Sequence, residues 1–174
     1  MSSEKKKRVP VKKAKLSRRV VRKSATGQFI AQKASSRRDK LLFKVTGAPA
    51  GDHGLMMHNI RQGLSFESIE TLAEAFESPR KEMAGVLSIP VSTLKRRRKE
   101  GRLLTDESDR VARLARLKDF AVEMMNGDND AAIQWLKTPS PILGGESPLV
   151  HASTEMGARE VEDLIGRIQH GVFS

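Results

Sequence analysis

Met83-Ala84-Gly85-Val86-Leu87-Ser88-Ile89-Pro90-Val91-Ser92-Thr93-Leu94-Lys95-Arg96-Arg97-Arg98-Lys99 is the stretch on which the fold turns. It reads as two short helices joined by a tight turn. Ala84 is small where the two helices must approach closely. Ser88 falls four residues later, at the turn, and Ile89 follows as a plug for the core beneath it. Pro90 permits a new helix to start but not the old one to continue. Val91, Leu94 and Arg98 fall on successive turns of the second helix, with Leu94 its inward apolar residue, and Gly101 is a C-cap. The second helix then exposes Ser92, Thr93, Lys95, Arg96, Arg97 and Lys99.

This is the logic of a helix-turn-helix, whose second helix enters the major groove by its N-terminal half. Ser and Thr there bond base edges or phosphates, and Arg bonds guanine O6 and N7 in bidentate fashion. The basic cluster at the C-terminal end meets phosphates, which position a protein without reading sequence. The six exposed residues are therefore the candidate DNA-binding set. The turn position that often holds Gly holds Ser88, and a left-handed Ser costs about 1 kcal/mol relative to Gly. A plain helical hairpin with a solvated Lys-Arg face would share the same pattern.

The spacing stays helical on both sides of this stretch. Upstream, Phe66, Ile69, Leu72, Ala73 and Phe76 recur at three- and four-residue steps. Ser78-Pro79 reads as a cap followed by proline at the first helical position. Downstream, Thr105-Asp106-Glu107-Ser108-Asp109 offers a hydroxyl cap and acids that oppose the positive end of a helix dipole. Val111, Leu114, Leu117, Ala121, Met124 and Met125 form the apolar stripe of that long helix, and Asn126-Gly127 stops it. Asp130 caps a short helix containing Trp135 and Leu136, Ser147-Pro148 opens another, and a last one spans about 158–170 with Val161, Leu164, Ile165 and Ile168 inward. Gly171 closes it. The expected fold is all-α.

Charge divides the chain further. Its 174 residues carry 32 Lys and Arg against 21 Asp and Glu, a net of +11. Residues 1–46 hold 16 basic and 2 acidic residues, a net of +14, so the remainder is −3. Within that remainder, residues 79–103 are locally +6 and residues 104–174 are locally −5. So many like charges with so little apolar surface predict disorder over most of the arm. Ala25 to Gln32 and Leu41-Leu42-Phe43 are its candidate extended pieces, and Gly47 to Gly54 reads as a linker. Three readings of the arm stand side by side: an electrostatic clamp on DNA phosphates, a solubility-promoting tail, or a segment upstream of a translation start near Met56 or Met57. The expected organisation is an arm and linker over 1–54, a helix-turn-helix region over 64–104 and a helical dimerisation or partner-binding domain over 105–174.

Other classes recede. The chain has no cysteine, so disulfides, thiolate metal sites and cysteine nucleophiles are excluded. No stretch approaches the roughly 18 apolar residues of a membrane span. Aromatic residues are 4% of the chain, too few for a reader of single strands that works by stacking. His53, His58, His151 and His170 are scattered, with the first two in or near the linker. Asp128-Asn129-Asp130 lacks the following Gly and distal Glu of a calcium loop. No phosphate loop or nucleophile elbow is visible. The expectation is no catalytic residue, no metal, no cofactor, no membrane and no enzymatic activity.

The C-terminal half resembles a known family. Glu107-Ser108-Asp109-Arg110-Val111-Ala112-Arg113-Leu114-Ala115-Arg116 is similar to the long central helix of Xre/MbcA/ParS antitoxins. So are Ala132-Ile133-Gln134-Trp135-Leu136, Pro139-Ser140-Pro141-Ile142-Leu143-Gly144-Gly145 and Ser147-Pro148-Leu149. The stretch Thr154-Glu155-Met156-Gly157-Ala158-Arg159-Glu160-Val161, continuing through Leu164, Arg167, Ile168 and Gly171, is similar to the family's toxin-binding domain. The resemblance covers about 64–173 and leaves the arm outside it.

The resemblance implies a bacterial, cytoplasmic antitoxin of a type II toxin–antitoxin pair. Its usual partner is a RES-type toxin that consumes NAD, bound through the C-terminal domain. It also implies binding to its own operator DNA, autorepression and a homodimer suited to a palindromic site. Trp135, Leu136, Leu143, Gly144, Pro148, Leu149, Gly157 and Gly171 carry the family pattern. By their types alone, the apolar ones read as core, Gly144 as a turn, and Gly157 and Gly171 as helix punctuation. Arg159, Arg167, Val172 and Phe173 are the candidate toxin contacts; for the last two, an apolar chain end beyond a helix cap is free to insert into a partner pocket. The competing expectation is a solitary DNA-binding regulator or DNA-organising protein whose C-terminal domain only dimerises.

Overall fold

The computed structural model describes residues 20–23, 29–32, 40–49 and 51–171. The chain divides into a unit over 1–34 and a second over 35–174. In the first, β1 (Val20–Lys23) pairs antiparallel with β2 (Phe29–Gln32), with Val20 opposite Gln32 and Lys23 opposite Phe29. Part of the expected extended piece is thus a strand, and it belongs to a ribbon within the arm that was expected to be disordered. The remaining residues of 1–39 lie outside the described residues.

The second unit is helical: α1 (Leu41–Thr46), α2 (His53–Gln62), α3 (Glu67–Ala75), α4 (Arg80–Val86), α5 (Val91–Glu100), α6 (Thr105–Met124), α7 (Asn129–Lys137), α8 (Pro148–His151) and α9 (Glu155–His170). A 3-10 turn over Pro141–Leu143 joins α7 to α8. The helical phase read upstream holds without exception, for Phe66, Ile69, Leu72, Ala73 and Phe76 are all buried. On α6, Val111, Leu114, Leu117 and Ala121 are buried, and the two methionines at its end pack partly against the same cluster. The inward residues of α9 are Val161, Leu164 and Ile165, with Ile168 at the margin. One apolar cluster runs from Leu41 through both halves of the unit to Ile165.

Two expectations at the front of this unit are corrected. Leu41-Leu42-Phe43 is not extended; it opens α1, with Leu41, Leu42 and Val45 buried. Six residues are too few to hold a helix in water alone. Here the Asp119 carboxylate of α6 accepts from the Leu41 and Leu42 amides at 2.8 and 2.9 Å, satisfying two of the orphan donors of the first turn. Burial nevertheless pushes the Asp119 carboxyl up, against the lowering effect of those two amides. The second correction is the linker: from His53 onward it is α2, capped by Asp52, whose side chain accepts from the Leu55 amide at 2.9 Å. His53 and His58 are exposed residues of that helix.

Three caps also shift. The N-cap of α4 is Pro79, because Ser78 is buried at the end of α3, where its amide bonds the Ala73 carbonyl. The N-cap of α6 is Leu104, not Thr105: the Glu107 carboxylate accepts the Leu104 amide at 2.8 Å, and the Thr105 hydroxyl donates to the Arg61 carbonyl at 3.2 Å. Asp128, not Asp130, caps α7 through the Ala131 amide at 3.0 Å.

The segments before α3 and after α5 are clasped together. Leu103 donates to the Leu64 carbonyl at 2.9 Å, and Phe66 donates to the Gly101 carbonyl at 3.0 Å. Gly63, at φ 84°, lies against this bridge, where a Cβ would stand 2.2 Å from the Leu103 oxygen. The Leu64 amide is held by the Ser108 hydroxyl of α6 at 2.9 Å. The end of α5, the start of α3 and the first turn of α6 therefore share one hydrogen-bonded junction.

Candidate nucleic-acid interface and partner-binding domain

The turn between α4 and α5 follows the expected chemistry. Ser88 has φ 54°, in the left-handed region, and its amide bonds the Gly85 carbonyl at 2.9 Å. The Ile89 amide reaches back to the Ala84 carbonyl at 2.8 Å, and its side chain plugs the core. Met83, Ala84 and Leu87 form the buried face of α4. α5 is then presented outward with only two of its residues buried, Leu94 and Arg97.

Of the six candidate DNA-binding residues, Ser92, Lys95, Arg96 and Lys99 are exposed, and Thr93 is half-buried beside them. Arg97 is a correction. Its side chain is 6% exposed, against 61% for Arg96. Its Nε donates to both oxygens of Glu107, at 2.7 and 3.0 Å, and its Nη1 donates to Glu100 at 2.6 Å. These bonds, that to Glu107 foremost, hold the guanidinium pKa above its ordinary value. The buried phase of α5 runs from Leu94 by three residues to Arg97, so Arg98 is turned outward. Arg98 is the exposed basic residue that sequence reasoning missed. An acid ten residues ahead at Glu107 was the only trace of Arg97's partner, and that spacing crosses a helix boundary.

Beyond Gly101, which closes α5 at φ 73°, Arg102 donates to the carbonyls of Gln62 and Gly63 at 3.1 and 3.2 Å. It lines a polar cleft of 520 Å³ with Lys44, His58 and Asn59.

The C-terminal helices place the remaining candidates. Leu136, Leu143, Pro148 and Leu149 are buried, while Trp135 is partly buried against the same core. Gly144 is a left-handed turn residue at φ 66°, and Gly171 closes α9 at φ 67°. Gly157 is not punctuation. It lies inside the first turn of α9, buried, and a Cβ there would stand 2.0 Å from the His151 carbonyl oxygen. Arg159 and Arg167 are exposed on α9, and Arg159 pairs with Glu155 at 3.1 Å. Val172 and Phe173 lie outside the described residues.

His151 bridges two acids, Glu146 at 2.8 Å through Nδ1 and Glu160 at 2.7 Å through Nε2. The hydrogen bond to Glu160, then that to Glu146, raises the imidazole pKa. Lys118, buried on α6, is held by the Asn129 side chain, and burial lowers its pKa. Among the described residues no group of three or more His, Cys, Asp or Glu is arranged to hold a metal ion. No helix among them is long and apolar enough to cross a membrane. Two side chains in this half stand out as apolar and exposed, Ile142 at 68% and Met156 at 72%, with Val150 at 49% between them in sequence.

Known proteins match both halves. An antitoxin Xre-like helix-turn-helix domain profile matches residues 56–116. The profile of the antitoxin Xre/MbcA/ParS C-terminal toxin-binding domain matches residues 121–171. The chain is 40% identical to an Antitoxin Xre of Yersinia enterocolitica serotype O:8 / biotype 1B over 136 residues, which is 78% of this chain and 92% of that one. It is 33% identical to an Antitoxin Xre of Photorhabdus laumondii subsp. laumondii over 134 residues, 76% of this chain and 90% of that one. It is also 27% identical to a Prs ADP-ribosylating antitoxin of Sphingobium sp. over 124 residues, 66% of this chain and 78% of that one. With the helix-turn-helix on α4 and α5 and the C-terminal match on the end of α6 through α9, the chain belongs to the Xre/MbcA/ParS antitoxin family.

Proposed function

We propose that this chain neutralises a cognate RES-type, NAD-consuming toxin through its C-terminal helices and represses its own operon, as a homodimer, through α5. The role requires no catalysis by the chain itself. The observation that carries the DNA half is the outer edge of α5, where Ser92, Lys95, Arg96, Arg98 and Lys99 are exposed together beyond a helix-turn-helix turn. Ser92 lies in the first turn, where base edges are read, and the cations follow toward the phosphates. A two-fold dimer matches two such helices to a palindromic operator.

The toxin half is supported by the family match over residues 121–171 and by the exposed Ile142, Val150 and Met156 within it. Large apolar side chains so exposed gain most from burial against a partner. Arg159 and Arg167, with Val172 and Phe173 at the chain end, complete the proposed toxin-facing set. The Sphingobium relative is named for ADP-ribosylation, a chemistry that consumes NAD, which favours a toxin of that class here.

Co-expression with the product of the neighbouring gene tests this reading. Rescue of growth and co-purification of the two chains are expected. A neighbouring product that is harmless, or that stays toxic in the presence of this chain, overturns the toxin half. A gel shift on the chain's own promoter fragment tests the other half, and equal affinity for promoter and scrambled duplex overturns it.

A further inference from the structure

A ten-residue helix that reads DNA must be held at a fixed depth and tilt, and α5 has little to hold it. Leu94 and Arg97 are its only buried residues. A leucine in an apolar core resists withdrawal, but burial of apolar area is non-directional, so it leaves rotation about the contact weakly specified. A charged, forked hydrogen bond is directional. Arg97 supplies one: its Nε meets both Glu107 oxygens at 2.7 and 3.0 Å, with the Glu107 side chain 5% exposed. Glu107 is fixed in turn, because one of its oxygens accepts the Leu104 amide at the mouth of α6 at 2.8 Å. The next residue, Ser108, holds the Leu64 amide at 2.9 Å and donates to the Leu104 carbonyl at 2.7 Å. The carbonyl of Arg97 accepts the Gly101 amide at 2.8 Å, tying the same residue to the end of α5.

We propose that Arg97 and Glu107 form a positioning pair that sets the orientation of the reading edge of α5 against α6, so that operator discrimination depends on two residues that do not touch DNA. The proposal rests on the reading of α5 as the DNA-reading helix. It assigns opposite roles to adjacent arginines: Arg96, 61% exposed, meets DNA, and Arg97 aims it. The consequence is a separation of two quantities. Nonspecific affinity is set by the number of cations near phosphates. Discrimination is set by whether side chains reach base edges in register.

The test uses the full chain, its own promoter fragment and a scrambled duplex of the same length and composition. Glu107→Gln keeps an oxygen for the Leu104 amide and removes the buried charge that faces the Arg97 Nε, leaving only the half-exposed Glu100 beside Nη1. The double variant Arg97→Met with Glu107→Gln replaces the pair without leaving a lone buried charge, a replacement that often leaves stability intact. Both variants are expected to lose about tenfold or more of the promoter-to-scrambled affinity ratio. For Glu107→Gln the scrambled affinity and its salt slope are expected to stay as in the parent. Removing both partners should cost no more discrimination than removing one, since they act as a unit. A double variant that melts like the parent and discriminates like the parent overturns the proposal. So does an Arg97→Met single variant that lowers the salt slope by about one while Glu107→Gln changes nothing, since that is the behaviour of a phosphate contact. Arg96→Ala serves as the control. If it weakens discrimination and Glu107→Gln does not, the positioning pair alone fails; if neither has any effect, the reading of α5 fails with it.

Discussion

Gly157 and His151 touch through their backbones, so closely that a Cβ on the glycine would lie 2.0 Å from the His151 carbonyl oxygen and 2.9 Å from its carbon. That contact brings the first turn of α9 against the end of α8. No side chain larger than hydrogen fits it, and no flexible neighbour can give way, since the obstacle is backbone.

Gly157→Ala is therefore expected to force α8 and α9 apart. Overpacking of this kind costs about 1–3 kcal/mol. A thermal melt should shift down by several degrees, and toxin binding should weaken because the proposed docking residues Val150 and Met156 flank the contact. Operator binding of the folded fraction should stay near the parent. An unchanged melt would show that the helices separate without strain.

In the turn between α4 and α5, Ser88 holds φ 54° with a side chain that is exposed. Ser88→Gly removes the left-handed penalty and no packing contact. It should raise stability by up to about 1 kcal/mol, less the extra freedom that glycine gains in the unfolded chain. Chemical denaturation reads this directly as a higher midpoint at unchanged slope.

His151 makes the C-terminal half pH-sensitive. Its pKa is raised above 6.5 by the hydrogen bonds to Glu160 and Glu146, so the fold favours the imidazolium. The stabilisation is complete below about pH 6.5 and is lost as pH rises through the higher folded value. Both carboxylates are more than half exposed, which keeps the effect within the roughly 1 kcal/mol of surface ion pairs. Stability measured from pH 5.5 to 8.5 should fall more in the parent than in His151→Gln. Parallel curves would remove His151 as the cause.

Residues 1–39 carry 14 Lys and Arg against 2 acids. Deleting them keeps Lys40, which pairs with Glu123 at 3.5 Å, and the whole of α1. Affinity for any duplex should fall and the slope of log affinity against log salt should flatten, by roughly 0.9 for each phosphate that the arm no longer neutralises. A slope equal to the parent's would mean that the arm does not reach DNA. Ending the deletion at residue 46 would instead remove α1 and confound the result with a weakened core.

Arg96→Ala should relax preference for the operator at about 1–3 kcal/mol if its guanidinium meets a guanine. Arg98→Ala, on the outward side that the burial pattern revealed, should weaken promoter and scrambled duplex alike and lower the salt slope by about one. Competition binding at two salt concentrations separates the two behaviours, and identical profiles for both variants would contradict the division of labour.

Much of this was legible in the residues. Apolar spacing alone placed the buried faces of α3, α4, α6 and α9, because a helical period maps directly onto one side of a cylinder. Gly101 and Gly171 marked helix ends, since a left-handed cap favours the residue without a Cβ. Ser92, Lys95, Arg96 and Lys99 are exposed, as their places on the second helix predict. What the sequence by itself determined was thus local and periodic: the helices from α3 onward, the turn at Ser88 and the outer edge of α5. Tertiary structure alone decided the rest. Leu41 became helical because Asp119, 78 residues away, meets its amide. Gly157 became indispensable because another backbone arrives against it. Arg97, one cation in a run of five, left the exposed edge of α5 because Glu107 waits on the next helix. In each case the deciding partner is a single group whose proximity is created by folding, and a charge or an amide carries no mark in the sequence of which distant group will meet it.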